Sequence, residues 1–237
     1  MTAASLVAVV IPTLNEEDSI GAVVASLPRD VVAQVIVADG GSVDSTAERA
    51  RRAGALVVTA GKGYGRACLA GVQAAEAADI VVFMDGDGAD DPAAIATIVA
   101  PIRTGDYDFV IGSRACGTRE PGSISTHQIL AGQVAGWLIR LMYGVRYTDM
   151  CAFRAIRRET LLALGMRELT YGWNLEMQMR VARAGLRVLE VPVPYRRRIG
   201  GESKVAGSLR GTMAAGFRII TTFARIAFEP MRKGAAR

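Results

Sequence analysis

Read for the spacing of apolar and polar residues, the first half of the chain alternates between two periods. Short β-branched runs occupy residues 6–11, 35–38, 56–59 and 80–84. Runs of this length bounded by turn residues are the mark of buried parallel strands. Between them lie segments of helical spacing at residues 15–25, 45–53 and 66–77. The first carries its acidic residues early, as a helix start prefers. Thr13 or Asn15 is expected to cap it, and Ser42 or Asp44 to cap the second. The repeated strand–helix order predicts an α/β fold: an open, Rossmann-like, mostly parallel central sheet with helices on both faces. Ligands bind such sheets beyond the carboxyl ends of the strands. Residues 12–15, 39–42 and 85–87 all fall at those ends.

The second half is less regular. Residues 109–111 read as a strand entering Gly112-Ser113-Arg114, and a polar loop then runs to Ser125. An apolar helix is expected over 128–143, a strand over 151–156, a helix over 174–184 and a strand over 186–193. Residues 209–228 read as an amphipathic helix. At about 100° per residue, Arg210, Arg218 and Arg225 share one face, and Leu209, Met213, Ile220, Phe223 and Ala227 the other. Phe217 and Phe228 lie near the basic face. Such a helix either lies in an anionic interface or packs on the domain or on a second subunit. Trp137 and Tyr143 suit either a headgroup boundary or a core. The expected layout is one domain over 1–204, with a nucleotide half 1–114 and an acceptor half 115–204, followed by a helical tail over 205–237.

Composition narrows the class. Hydrophobic residues make up 51% of 237, enough for a sizeable core. The formal net charge of +5 suits an anionic lipid or a phosphorylated substrate, or serves solubility alone; no nucleic-acid partner is expected. The three cysteines, Cys68, Cys116 and Cys151, lack metal-ligand spacing and read as reduced thiols of a cytoplasmic protein. A single histidine, His127, argues against a histidine metal site and a Ser-His-Asp triad. Neither a signal peptide nor a spanning helix is expected. The expected location is cytoplasmic, peripheral on a membrane if the tail lies there.

Four strand-end motifs carry the chemistry. Asp85-Gly86-Asp87 places two carboxylates one residue apart after a buried strand, a donor set for a hard divalent cation whose shell a pyrophosphate completes. The same residues also suit a solvated acidic turn. Asp90 and Asp91 add negative charge, and Asp91-Pro92 reads as a helix start. Pro12-Thr13-Leu14-Asn15-Glu16-Glu17 presents polar groups after the first strand. Asp39 ends the second, placed to accept from a nucleoside or to hold its own turn. Gly61-Lys62-Gly63-Tyr64-Gly65-Arg66 lacks the spacing of a dinucleotide fingerprint, yet its glycines allow close backbone approach with Lys62 or Arg66 near phosphate.

Together, VVIPTLNEE, VADGGSVDST, GKGYGRA and MDGDGADDP resemble glycosyltransferase family two with its GT-A fold. The segments DFVIGSR, TDMCAFRAIRRETL, YGWNLEMQMRVARAGLRVLEVPVPYRRR and IGGESK are similar to the branch that transfers mannose or glucose to polyprenyl or dolichyl phosphate. The resemblance implies an inverting hexosyltransferase using a UDP- or GDP-sugar and Mg²⁺ or Mn²⁺. It implies that Pro12, Thr13, Asn15, Glu16, Asp39, Lys62, Gly63 and Asp85 hold the donor. Asp85 and Asp87 bear on the metal. The branch commonly has Gln where this chain has Ala89, and Asp90 is the candidate substitute ligand. Arg114, Arg198, Ser203 and Lys204 fall around the acceptor phosphate and donor diphosphate. Glu176 either acts as a base for a hydroxyl acceptor or orients an arginine. The catalytic set implied is therefore Asp87, Arg114, Glu176 and Arg198. A homodimer is compatible with the pattern. A soluble hydroxyl acceptor, a sugar nucleotidyltransferase and a non-catalytic binding protein are the competing readings; the second is disfavoured by Pro-Thr-Leu-Asn after the first strand.

Overall fold

The computed structural model describes residues 5–200 and 220–229. Ser203, Lys204, Arg210, Arg218 and most of the predicted tail lie outside the described residues.

Strand β1 (Val7–Thr13) is buried along its whole length, which only a strand covered on both faces can be. It pairs in parallel with β2 (Gln34–Asp39) on one side and with β4 (Ile80–Phe83) on the other. β3 (Leu56–Thr59) pairs in parallel with β2 and forms the edge. The connecting helices are α1 (Ile20–Ala25), α2 (Thr46–Arg52) and α3 (Tyr64–Ala74). Right-handed crossovers put α1 and α2 on one face, where they touch each other. α3 belongs on the opposite face because the chain there reverses direction across the sheet, and it packs along β1, β2 and β3.

After β4 come a 3₁₀ turn (Pro92–Ala94), α4 (Ile95–Arg103), β5 (Phe109–Ser113) and α5 (Thr126–Tyr143). Then follow β6 (Arg154–Arg157), α6 (Arg158–Ala163), α7 (Trp173–Arg183) and β7 (Val188–Pro192). The sheet has seven strands in the order β3-β2-β1-β4-β6-β5-β7. β6 is antiparallel to both neighbours, while β5 and β7 are parallel. A helical segment at residues 220–227 docks near α7. The expected mostly parallel α/β sheet is therefore present.

Several boundaries differ from expectation. The helix predicted from Asn15 begins at Ile20. Asn15 adopts φ 52°, and its side chain accepts from the Val43 N–H at 3.0 Å while its own N–H donates to Ser42 Oγ at 2.9 Å. The segment after β1 is thus spent on the neighbouring loop rather than on a helix turn, and neither Thr13 nor Asn15 caps α1. The helix start expected at Asp91-Pro92 is present: Asp91 accepts from the Ala93 N–H at the 3₁₀ turn that leads into α4, whose Ile95, Ile98, Val99 and Ile102 are all buried; α6 has no counterpart in the pattern.

Candidate functional site

The order of strands makes β1 and β4 the switch point: the chain goes from β1 to one side through β2 and returns on the other through β4. A crevice must open beyond their carboxyl ends. It does, as a cleft lined by Pro12, Thr13, Leu14 and Glu16 after β1, Gly40 after β2, and Asp85, Gly86 and Asp87 after β4. Gly63, Tyr64 and Ala67 from the start of α3, with Tyr171 and Arg198, complete the wall.

Side chains stitch these loops together. The Glu16 N–H donates to Thr46 Oγ1 at 2.8 Å, and Ser19 Oγ donates to the Gly86 carbonyl at 2.7 Å. Asp39 is used locally: it accepts from both the N–H and the hydroxyl of Ser42, holding its own turn, as one of the two readings of its position has it. Lys62 is exposed and absent from the cleft lining. Gly63 is at the cleft with φ 130°, a conformation that favours glycine. The close approach its bare Cα permits is to the chain itself. A Cβ on Gly63 or Gly65 would meet the Leu169 or Glu168 carbonyl at 2.4 or 2.2 Å, and the Arg66 N–H donates to Leu169 O.

Asp85 and Asp87 reach the cleft together. Tyr64 donates its hydroxyl to Asp85 Oδ1 at 3.2 Å. Burial, then the charge of Asp87, push the Asp85 carboxyl up to about 6 against the attraction of Arg114 and Arg198. Asp87 is 2% exposed and its Oδ2 lies 3.1 Å from Arg198 Nε. Asp90 sits behind the pair. Its Oδ2 accepts the Asp85 N–H at 3.1 Å, and burial together with Asp85 and Asp87 pushes it up to about 8.

This donor set bears on a divalent cation. Among the described residues no three His, Cys, Asp or Glu side chains converge on a ready-made metal cage. Two hard carboxylates at the cleft fit an ion whose remaining ligands come from a bound diphosphate. Asp90 does not line the cleft: its Oδ2 accepts the Asp85 N–H, and it stands close behind the pair, where a cation would relieve its charge as well. Ala89 is buried, and its carbonyl accepts from the Arg196 N–H.

Of the three consecutive arginines after Pro194, only Arg198 lines the cleft. Arg196 pairs with Asp91 at 3.3 Å, and Arg197 donates from Nε to the Pro121 carbonyl and from its N–H to Glu120. Arg114 is held elsewhere. Its Nε and Nη2 both bond Asp149 at 2.8 Å, and its guanidinium stacks 4.9 Å from the Tyr195 ring centre. Glu190 in turn accepts the Thr148 and Asp149 N–H groups. Arg114 does not line the cleft, but its charge still reaches Asp85 and Asp90.

Of the two roles open to Glu176, base or partner of an arginine, its contacts suit the second. It is fully buried, and Oε2 accepts the N–H groups of Arg167 and Glu168 while Oε1 accepts from Arg180 Nε at 2.9 Å. No lone pair is left aimed at the cleft, and orienting arginines is what it does. Tyr64 and Tyr171 are cleft residues that the pattern did not single out. Tyr64 stood inside a quoted glycine motif; Tyr171 comes from a turn before α7 with no local signal.

With this geometry in view, the comparisons with known proteins agree. The glycosyl transferase family 2 model matches residues 8–165. An uncharacterized glycosyltransferase of Mycobacterium tuberculosis is 40% identical over 216 residues, covering 90% of this chain and 95% of its own. An undecaprenyl-phosphate mannosyltransferase of Micrococcus luteus is 34% identical, covering 85% and 88%. Among solved structures, glucosyl-3-phosphoglycerate synthase of Mycobacterium tuberculosis in complex with Mn²⁺, UDP-glucose and phosphoglyceric acid superposes with a TM-score of 0.75 at 25% identity. That alignment spans 96% of this chain and 81% of the other. The expected GT-A architecture stands, and the chain belongs to glycosyl transferase family 2.

Proposed function

We propose that this protein moves a hexose from a UDP- or GDP-sugar to a polyprenyl phosphate, with inversion at the anomeric carbon. The observation that carries this reading is the β1/β4 cleft, where Asp85 and Asp87 face Arg198. Pro12, Thr13, Leu14 and Gly40 wall the nucleoside side. Asp85 and Asp87 would hold Mg²⁺ or Mn²⁺, which when bound offsets the negative charge that builds on a departing diphosphate. Among the described residues Arg198 pairs through Nε with Asp87 alone, and its further guanidinium donors suit phosphate oxygens. An acceptor phosphate is ionised at neutral pH. One of its oxygens attacks the anomeric carbon as the bond from that carbon to the diphosphate oxygen breaks, so a strong general base is not required. The capture of Glu176 by backbone and arginines is compatible with that.

The lipid acceptor is supported by α5. Leu130, Val134, Trp137 and Leu141 recur at helical spacing and are 59%, 49%, 61% and 71% exposed. No Asp or Glu occurs from residue 126 to 146, whereas Arg140 and Arg146 do. An apolar stripe with arginines near one end suits an anionic bilayer surface, a peripheral placement on the cytoplasmic face. Among the described residues no helix is long and apolar enough to cross a membrane. A second reading, a soluble phosphorylated acceptor, is favoured by the likeness to a synthase crystallised with phosphoglyceric acid.

The test is release of nucleoside diphosphate with Mg²⁺ or Mn²⁺ from a panel of UDP- and GDP-sugars, with a short polyprenyl phosphate, with 3-phosphoglycerate, or with neither. Release that needs one donor and the lipid phosphate supports the first reading. Release with 3-phosphoglycerate alone replaces it with the second.

A further inference from the structure

The described C-terminal segment is outside the cleft, yet it holds the turn that builds one cleft wall. Thr222 is buried and donates to Glu168 Oε2 at 3.0 Å. Arg225 places Nη2 3.3 Å from Glu176 Oε1 and 3.6 Å from Glu168 Oε2. Ile226 is fully buried in the core. Arg183 donates to the Ile226 carbonyl at 2.9 Å, and Arg180 pairs with Glu229 at 3.1 Å.

Glu168 and Glu176 are the two anchors of the turn at residues 167–172. Glu176 accepts the first two N–H groups of that turn, and Glu168 accepts the N–H and hydroxyl of Thr170. The outer side of the turn is filled by the tail: a Cβ on Gly172 would sit 2.6 Å from Thr222 Oγ1. The inner side carries the Leu169 carbonyl that receives the Arg66 N–H and the backbone against which Gly63 and Gly65 close. Gly63, Tyr64 and Tyr171 all line the cleft, and Tyr64 holds Asp85. The contacts thus run without a break from residues 222–226 to the 167–172 turn, and from there to Tyr171 and the glycine loop.

We infer that Thr222 and Arg225 are positioning residues for the donor site: the docked C-terminal helix sets the wall formed by Tyr171 and Gly63–Tyr64. The consequence for nucleotide affinity rests on the nucleotide-sugar reading of the cleft; the mechanical coupling does not. Without Arg225, Glu168 and Glu176 lose a cationic partner. The turn then loosens, and the cleft binds a nucleoside diphosphate only after the wall is re-formed.

The experiment compares the full chain with Arg225→Ala, Arg225→Lys, Thr222→Val and, as a control at the exposed residue that follows the same helix, Phe228→Ser. Amide hydrogen exchange reads the wall directly, and titration with UDP and GDP in the presence of Mn²⁺ reads its consequence. A lost hydrogen bond to a charged group is worth enough to change exchange at residues 63–67 and 167–172, and diphosphate Kd, about tenfold in Arg225→Ala. Thr222→Val should act in the same direction, Arg225→Lys should recover most of the loss, and Phe228→Ser should match wild type. Faster exchange confined to residues 220–229, or an unchanged Kd despite a loosened wall, overturns the inference. If the wild-type chain binds neither diphosphate while the exchange effect holds, the nucleotide-sugar reading falls and the coupling of tail to wall survives.

Discussion

Two clusters of carboxylates, each built around buried members, lie among the described residues, and their surroundings are opposite. Glu168, Glu176 and Glu229 are met by Arg167, Arg180 and Arg225, and by backbone N–H groups. There the hydrogen bonds of Thr170 and Thr222 and the charge of Arg225 outweigh burial and hold Glu168 below the usual carboxylate range. Among the described residues, Asp85, Asp87 and Asp90 have one arginine in contact, Arg198 on Asp87, and burial with mutual repulsion drives Asp85 and Asp90 upward. A balanced cluster is a structural clamp. An unbalanced one beside a cleft is kept for something cationic that arrives from outside. The difference is made by the partners and not by the acids.

Substitutions at each cluster should separate the two. Asp87→Ala is expected to cut turnover by about 10³-fold, the scale for loss of one group that stabilises transition-state charge. Its melting temperature should fall less than that of Glu176→Ala, because loss of the Ala89 N–H acceptor and of the Arg198 partner is offset by relief of the repulsion on Asp85 and Asp90. Diphosphate-release kinetics and a thermal melt together check this, and unchanged turnover would sink the assignment. Glu176→Ala should do the reverse. It leaves buried arginine and N–H groups unpaired, at a cost of about 3 kcal/mol of stability, seen as a lower midpoint in urea. If activity fell with stability unchanged, Glu176 would be chemical after all.

A smaller effect tests the wall between the clusters. Gly65→Ala would push a methyl into the Glu168 carbonyl, and such overpacking costs about 1–3 kcal/mol. It should also weaken nucleoside diphosphate binding, measurable by calorimetry. The smallest change in stability is expected at Trp137→Ser on the exposed stripe of α5. It should move stability by less than about 0.5 kcal/mol, yet reduce co-sedimentation with vesicles rich in phosphatidylglycerol. Full retention of vesicle binding would remove α5 from the lipid reading.

Much of this fold was legible because its signals are local. The β-branched runs at residues 6–11 and 80–84 carry the mark of buried strands in their length and branching, and they became β1 and β4 within a residue or two. The Asp91-Pro92 start was readable for the same reason, since a cap and its first turn are neighbours in the chain. Asn15 was misread as part of a helix because its left-handed backbone is enforced by Ser42 and Val43, residues of another loop. β6 was foreseen as a strand, but its antiparallel insertion between β4 and β5 has no local signature.

The site divides along the same line. Periodicity and residue type were enough to place Pro12–Glu16, Gly63, Asp85 and Asp87 at one sheet edge, since strand order and a strand's carboxyl end follow from the alternation of elements. Folding alone put Arg198 at the cleft rather than Arg196 and Arg197, turned Asp90 Oδ2 to the Asp85 amide, and paired Arg114 with Asp149 and Glu176 with Arg180. It also brought Tyr171 into the cleft. A charged side chain does what its nearest counter-charges and its burial allow, and those partners come from segments far apart in the chain.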